Sequence, residues 1–177
     1  MPNGKTLGGK SFYTVPFVWS RKLWVMTFAI FILWIGLSGV QLYELFVAES
    51  KMAPLISLVV FNLIMLPTIL VCEGYAPQRL EIGATQLVIL RRYKSIIINA
   101  DEVRSVEQLS KEALRGAIRT GGVGGCFGWY GNYYTRRIGS FKLYATQFEN
   151  LFLITLLNGK KIVISCSEPE KISHFSV

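Results

Sequence analysis

LWVMTFAIFILWIGLSGVQLY, Leu23 to Tyr43, and MAPLISLVVFNLIMLPTILVC, Met52 to Cys72, decide the architecture of this chain. Each run has 21 residues and contains no Asp, Glu, Lys, Arg or His. A helix rises about 1.5 Å per residue, so each run reaches about 30 Å, the thickness of a bilayer's hydrocarbon core. The loop between them, Glu44 to Lys51, is short, and the pair predicts a transmembrane hairpin over residues 23–72. The alternative is two core helices of a soluble protein, but the hundred or so residues after Cys72 are too few to cover both. A cleaved signal peptide fits poorly. The first run is long for an h-region, follows a 22-residue polar lead and has no small-x-small site before Glu44.

Charge placement orients the hairpin. The lead carries Lys5, Lys10, Arg21 and Lys22, and the loop carries one Lys and two Glu. The tail after Cys72 carries 14 Lys and Arg against nine Asp and Glu. The positive-inside rule therefore puts both termini in the cytoplasm. Trp19, Trp24, Tyr43 and Tyr75 are placed for headgroup depth. Asn62 is positioned to hydrogen-bond across the hairpin, and too few polar residues line the spans for an ion or substrate path. Pro54 falls in a first turn, and Pro67 is expected to bend the second helix. Cys72, Cys126 and Cys166 form no CxxC or Cys/His cluster and read as free thiols. Cys72 reads as an apolar residue at a span end, with palmitoylation as the alternative.

After an exit segment, EGYAPQ (Glu73–Gln78), the periodicity becomes that of strands. Residues 86–91, 94–98, 102–107, 141–146, 151–157 and 160–165 are enriched in β-branched or alternating residues. Asn158-Gly159 predicts a type I′ hairpin turn, with both positions at positive φ. Ser167 and Glu170 make a capping box for a short terminal helix whose Ile172 and Phe175 face the core. The stretch from Arg119, RTGGVGGCFGWYGNYYTRRIGSF, is read as a bulged loop with its aromatics packed on the sheet or the membrane interface. It contains neither GxxxxGK[ST] nor GxGxxG, which argues against a phosphate-cradling loop.

No catalytic constellation is visible. His174 is the single histidine and reads as a solvated or capping residue. Asp101-Glu102 reads as a turn, Ser165 and Ser167 lack a nearby base, and no metal-ligand cluster is present. No cofactor is expected. The basic turns are more informative: Arg91, Arg92 and Lys94, then Arg136 and Arg137, then Lys160 and Lys161. They are candidates for anionic lipid headgroups if they lie near the bilayer, and otherwise are ordinary cytoplasmic loops. A surplus of five positive charges on a tethered tail makes nucleic acid a poor partner.

The tail resembles the bacterial pleckstrin-homology-like (PH-like) domains found behind two N-terminal membrane spans. The likeness runs over residues 74–175 and rests on Arg119, Thr120 and Gly122; Gly139, Ser140 and Phe141; Tyr144 and Thr146; Thr155 and Gly159; and Ser167, Pro169 and Glu170. It implies an antiparallel, partly open seven-stranded barrel capped by a C-terminal helix, without catalytic activity and without assigned site residues. The family's closing helix usually continues beyond the position of Val177, so the cap is expected to be short or completed by a neighbouring subunit. The expected organisation is a basic cytoplasmic lead (1–22), the hairpin (23–72) and a cytoplasmic PH-like domain (73–177) in the bacterial inner membrane. Two roles are expected. The first is a scaffold that docks a protein or assembles with its own copies through Phe127, Trp129, Tyr130, Tyr133 and Tyr134. The second is recognition of anionic lipid headgroups by Arg91, Arg92, Lys94, Arg136 and Arg137.

Overall fold

The computed structural model describes residues 4–7 and 10–175. Helices α1 (Arg21–Val47) and α2 (Met52–Tyr75) form the expected hairpin and are long and apolar enough to cross a bilayer. Ser20 caps α1, its hydroxyl accepting the Leu23 N–H at 3.3 Å. Helix α2 has Pro54 in its first turn and continues through Pro67. The pair buries little within the chain: Ile32, Phe46, Leu63 and Ile64 are all more than 60% exposed. The rest of the described chain leaves this apolar surface uncovered. Asn62 bonds across the pair as expected. Its Oδ1 accepts from Trp34 Nε1 at 3.1 Å and from Ser38 Oγ at 3.3 Å. Gln41 Nε2 donates to Ser57 Oγ at 3.0 Å.

Two sheets follow. The first has the order β1 (Gly4–Leu7), β2 (Lys10–Pro16), β3 (Arg79–Ile82), β4 (Gln86–Leu90) and β5 (Ile96–Asn99). The second contains β6 (Val103–Leu109), β7 (Ile118–Gly124), β8 (Trp129–Thr135), β9 (Gly139–Ala145), β10 (Leu151–Leu156) and β11 (Lys161–Ser165), in the order β6-β10-β11-β9-β8-β7. They pack face to face as a mainly β, PH-like domain whose barrel is not closed. Leu80, Ile82, Leu87, Ile89, Ile154 and Ile164 meet between them, all below 2% exposed. Each such side chain contributes about 1.5–3 kcal/mol relative to an exposed one.

Several details depart from the sequence reading. There are eleven strands among the described residues rather than seven, and two of them, β1 and β2, come from residues ahead of the hairpin. Tyr13 lies opposite Ile82 and Pro16 opposite Arg79, so β2 and β3 flank the hairpin and pair beneath it. The domain is thus built from both sides of the hairpin, with the four residues 17–20 leading into α1 and the three residues 76–78 leaving α2. The domain is also not wholly antiparallel: β11 returns between β10 and β9 and runs parallel to β9, with Ile162 opposite Lys142. The terminal element is a 3-10 segment, Pro169–His174, not an α-helix. Ser167 does not cap it, because its hydroxyl donates to the Pro16 carbonyl at 2.9 Å. Ile172 and Phe175 nevertheless reach the inner core. The side chain of His174 lies outside the described residues.

The Asn158-Gly159 turn is not type I′. Gly159 has φ +79° and Asn158 does not have positive φ. The Gly159 N–H donates to Leu156 and the Leu156 N–H donates to Lys160, at 2.9 Å each, which is the pattern of a three-residue loop with Gly in the left-handed position.

The central strands of the six-stranded sheet are buried on both faces. Trp129, Phe141, Leu143 and Val163 on its outer face pack with Leu23 of α1 and with Ala113 and Leu114 of a 3-10 turn. Thr146 fixes this sheet to the start of α1: its carbonyl accepts the Ser20 N–H at 3.2 Å, and its hydroxyl donates to the Val18 carbonyl at 2.7 Å.

Candidate functional site

The Gly/aromatic stretch is a strand pair rather than a long loop. β7 and β8 pair with Gly122 opposite Gly131, and a register shift between Arg119 and Gly121. Both glycines sit at φ +123°, and a Cβ on either would lie 2.3 Å from a carbonyl oxygen of the facing strand. The two backbones approach too closely for any side chain there. The turn that follows, Gly125 to Gly128, is closed by the Gly125 N–H donating to the Gly128 carbonyl at 3.0 Å. It wedges against the base of the hairpin. Thr27 Oγ1 donates to the Gly125 carbonyl and accepts the Phe127 N–H, both at 3.3 Å. The Phe127 ring meets Trp19 and Phe31 edge-on. The Tyr130 hydroxyl donates to the Cys72 carbonyl, and the Tyr133 hydroxyl donates to the Val123 carbonyl at 3.0 Å.

The aromatics proposed as an interaction loop therefore do not form one. Trp129, Tyr130 and Tyr133 are buried, Phe127 is half-buried against α1, and only Tyr134 is exposed. Burial pushes the Tyr130 hydroxyl well above its ordinary range and raises that of Tyr133. Burial also raises the Cys126 thiol to about 11, with Cys72 adding to the effect.

The basic candidates separate into two places. Arg91, Arg92 and Lys94 occupy the β4–β5 turn, which packs on the end of α2. The Tyr93 N–H donates to the Gly74 carbonyl at 3.1 Å, and Arg92 pairs with Glu73 at 3.0 Å. Arg136 and Arg137 lie in the β8–β9 turn, at the end of those strands opposite Trp129 and Ala145. Six residues of strand, about 20 Å at roughly 3.3 Å each, separate that turn from the hairpin base. These two groups do not form one surface.

Arg91 and Lys94 instead join a different set of cations. A cleft of about 700 Å³ opens between the sheets, and its lining includes Arg91, Lys94, Lys142, Lys160 and Lys161. Thr120, Asn132 and Ser140 supply neutral polar groups, and no carboxylate among the described residues lines it. The two ion pairs among the described residues, Arg92–Glu73 and Lys171–Glu168, both lie outside it. Arg91 is held in place: its Nε donates to the Lys94 carbonyl, and its guanidinium stands 5.4 Å from the Tyr75 ring centroid and 5.7 Å from that of Tyr144. Lys161 Nζ donates to the Ile138 carbonyl at 2.7 Å. Burial raises the Tyr144 hydroxyl, with Arg91 opposing.

Strand alternation explains the cleft. Along β9 the residues facing the other sheet are Ser140, Lys142 and Tyr144, so the inner face changes from polar to cationic to aromatic toward the hairpin. Lys142 was the residue missed by reading turns alone. Its signal is its place in FKLYA, where it shares a face with Tyr144 rather than with Phe141 and Leu143.

A family model described as bacterial PH domain matches residues 78–176, more than half of the chain. This chain belongs to that family. The expected resemblance is thereby shown, together with two candidate membrane helices ahead of the matched region. No curated protein and no solved structure matches the chain. In this bacterial PH domain the match begins just before β3, so β1 and β2 lie outside it.

Proposed function

We propose that this bacterial PH domain is a non-catalytic module, held at the cytoplasmic face of the inner membrane by its hairpin, that recognises a phosphate-bearing anion in the cleft between its sheets. The observation that carries the reading is a cleft lined by five cationic side chains and, among the described residues, no carboxylate. A guanidinium and several ammonium groups around one concavity suit phosphate oxygens, and the low-dielectric walls focus their field. The excess of Lys and Arg in lead and tail supports the cytoplasmic placement.

The test is calorimetric titration of the full-length protein in neutral detergent with inorganic pyrophosphate at two salt concentrations. Saturable, salt-weakened binding is expected. Lys142→Gln is expected to reduce the affinity about fivefold, the effect of one charge near a phosphate. Absence of binding to the folded protein overturns the proposal.

A second reading, the scaffold, keeps one specific support. Among the described strands β7 is a sheet edge, and Ile118 and Tyr134, opposite each other on β7 and β8, are both exposed. Docking of a partner or a further copy there predicts an oligomer in mild detergent that Ile118→Glu dissociates. A strictly monomeric mass with no co-purifying protein removes it.

A further inference from the structure

The β7–β8 turn touches the hairpin inside its uncharged runs, not at their ends. Lys22 precedes the first run and Glu44 follows it, and Lys51 and Glu73 bound the second. Each pair leaves 21 residues between charges, about 30 Å of helix. A hairpin that crosses a bilayer must spend all of that length on the hydrocarbon core, so Leu23 and Cys72 mark the level where the core begins on the domain side. Thr27 lies about 6 Å beyond Leu23 along α1, and Phe31 about 12 Å beyond it. Yet Thr27 holds the Gly125 carbonyl and the Phe127 N–H, a Cβ on Gly125 would lie 2.2 Å from the Met26 methyl, and the Phe127 ring meets Phe31.

The composition and bonding of the turn suit that depth. No charged residue occurs between Arg119 and Arg136. Irregular backbone at the depth of the hydrocarbon must have its polar groups satisfied by protein. Here the Gly125 N–H bonds to the Gly128 carbonyl, and Thr27 serves one acceptor and one donor of the turn from the helix. This gives a reason for a threonine in the apolar stretch from Leu23 to Leu37. Beside the turn, Trp19, Trp24 and Phe28 follow one another at centroid distances of 4.7 and 5.3 Å, and Trp24 and Phe28 are 48% and 55% exposed. Arg21 lines the same groove. A cation with exposed rings one and two helical turns deeper is the order of an interfacial anchor.

We propose that the β7–β8 turn, Gly125–Gly128, is a membrane-embedded part of the domain, lying against α1 in the acyl region of the cytoplasmic leaflet. The domain is then seated in the bilayer rather than carried above it, with the Trp129–Ala145 end of its strands at the membrane and the β8–β9 turn toward the cytosol. The partner of the surface formed by Phe127, Trp24 and Phe28 is the hydrocarbon of that leaflet. The inference rests on the hairpin crossing the membrane and needs no ligand in the cleft.

The experiment needs no substitution. The full-length protein, with isotope-labelled glycine, is placed in nanodiscs of phosphatidylethanolamine and phosphatidylglycerol. The relaxation of its glycine amides is measured with a lipid bearing a nitroxide near the top of its acyl chain, and separately with a water-soluble gadolinium chelate. Gly128 is the single glycine that follows a phenylalanine, so carbonyl-labelled phenylalanine identifies its amide. Gly36, within α1, reports on the span. Gly159 reports on the far end of the domain, where Lys161 bonds to the Ile138 carbonyl beside the β8–β9 turn. The nitroxide is expected to broaden Gly128 several-fold more than Gly159, and the gadolinium chelate to do the reverse. If Gly128 behaves like Gly159, or responds equally to both agents, while Gly36 stays shielded from gadolinium, the hairpin spans but the turn stands above the leaflet, and the inference is overturned. If Gly36 is open to gadolinium as well, the membrane placement of the hairpin falls with it.

Discussion

Two glycine-bearing hairpins in the same sheet are built on different physics. β10–β11 turns at Asn158-Gly159, where a Cβ on Gly159 would meet nothing within 4 Å and the glycine serves only the positive φ. β7–β8 turns at Gly125–Gly128 against α1, and its inner glycines are required by the facing backbone as well as by φ. The first hairpin is local and exposed at its tip, whereas the turn of the second is tertiary and buried. A glycine in a strand therefore carries little meaning until what lies opposite it is known.

The largest test of that contrast is Gly131→Ala. Positive φ and a carbonyl 2.3 Å from the new Cβ leave no relaxed solution, since the obstacle is backbone. A loss of about 4 kcal/mol or more is expected in denaturant unfolding of the full-length protein. A loss near that of a simple turn glycine would mean that β7 and β8 separate freely, and the contrast would collapse.

Alkali provides a second test. The Cys126 thiol is raised by burial from its ordinary value of 9.0 to about 11, and the Tyr130 and Tyr133 hydroxyls are raised for the same reason. A group with a raised folded pKa favours the folded state fully below its unfolded value, and that contribution is lost as pH climbs through the folded one. Stability should therefore hold to about pH 9 and fall through pH 11. Hydrogen exchange should rise first in β7–β8 and later in β10–β11. Simultaneous loosening of the two hairpins would contradict the assignment of these groups to the hairpin base.

Thr27→Val comes next in size. It leaves the Gly125 carbonyl and the Phe127 N–H without their partner in a site where Thr27 is buried, an expected cost of about 2 kcal/mol. Thr27→Ser should restore most of it. Equal stability of the valine variant would mean that the turn rests on α1 through its aromatics alone.

The same contrast explains what the sequence made legible. The two long helices were readable because their contiguous residues have the length and the absence of charge that a bilayer would require. β4, β5, β6, β9, β10 and β11 were readable from alternation and β-branching. β2 was not, because its pairing partner β3 lies beyond the whole hairpin and no local rule reports that. β7 and β8 were hidden by their glycines, which read as loop until the facing strand supplies their reason. Of the site, Arg91 and Lys94 were legible as a basic turn, but the grouping with Lys142, Lys160 and Lys161 depends on how two sheets face each other. Arg136 and Arg137 had the same sequence signal and ended at the opposite end of the strands. The pairing of β2 with β3 also bears on every experiment above, because a fragment beginning after α2 would lack two strands of the first sheet, β1 and β2. The full chain is the right material.

The smallest expected effect is at the local hairpin. Gly159→Ala puts a Cβ into open space, so only the left-handed backbone opposes it, at about 1–2 kcal/mol. Gly159→Asn should cost less, because Asn tolerates that conformation. The order of Gly131→Ala, Gly159→Ala and Gly159→Asn in one unfolding series separates the two meanings of glycine. If position 131 also tolerated Asn better than Ala, its constraint would be φ alone; a worse result for Asn means that the opposing carbonyl, rather than the backbone angle, sets the requirement.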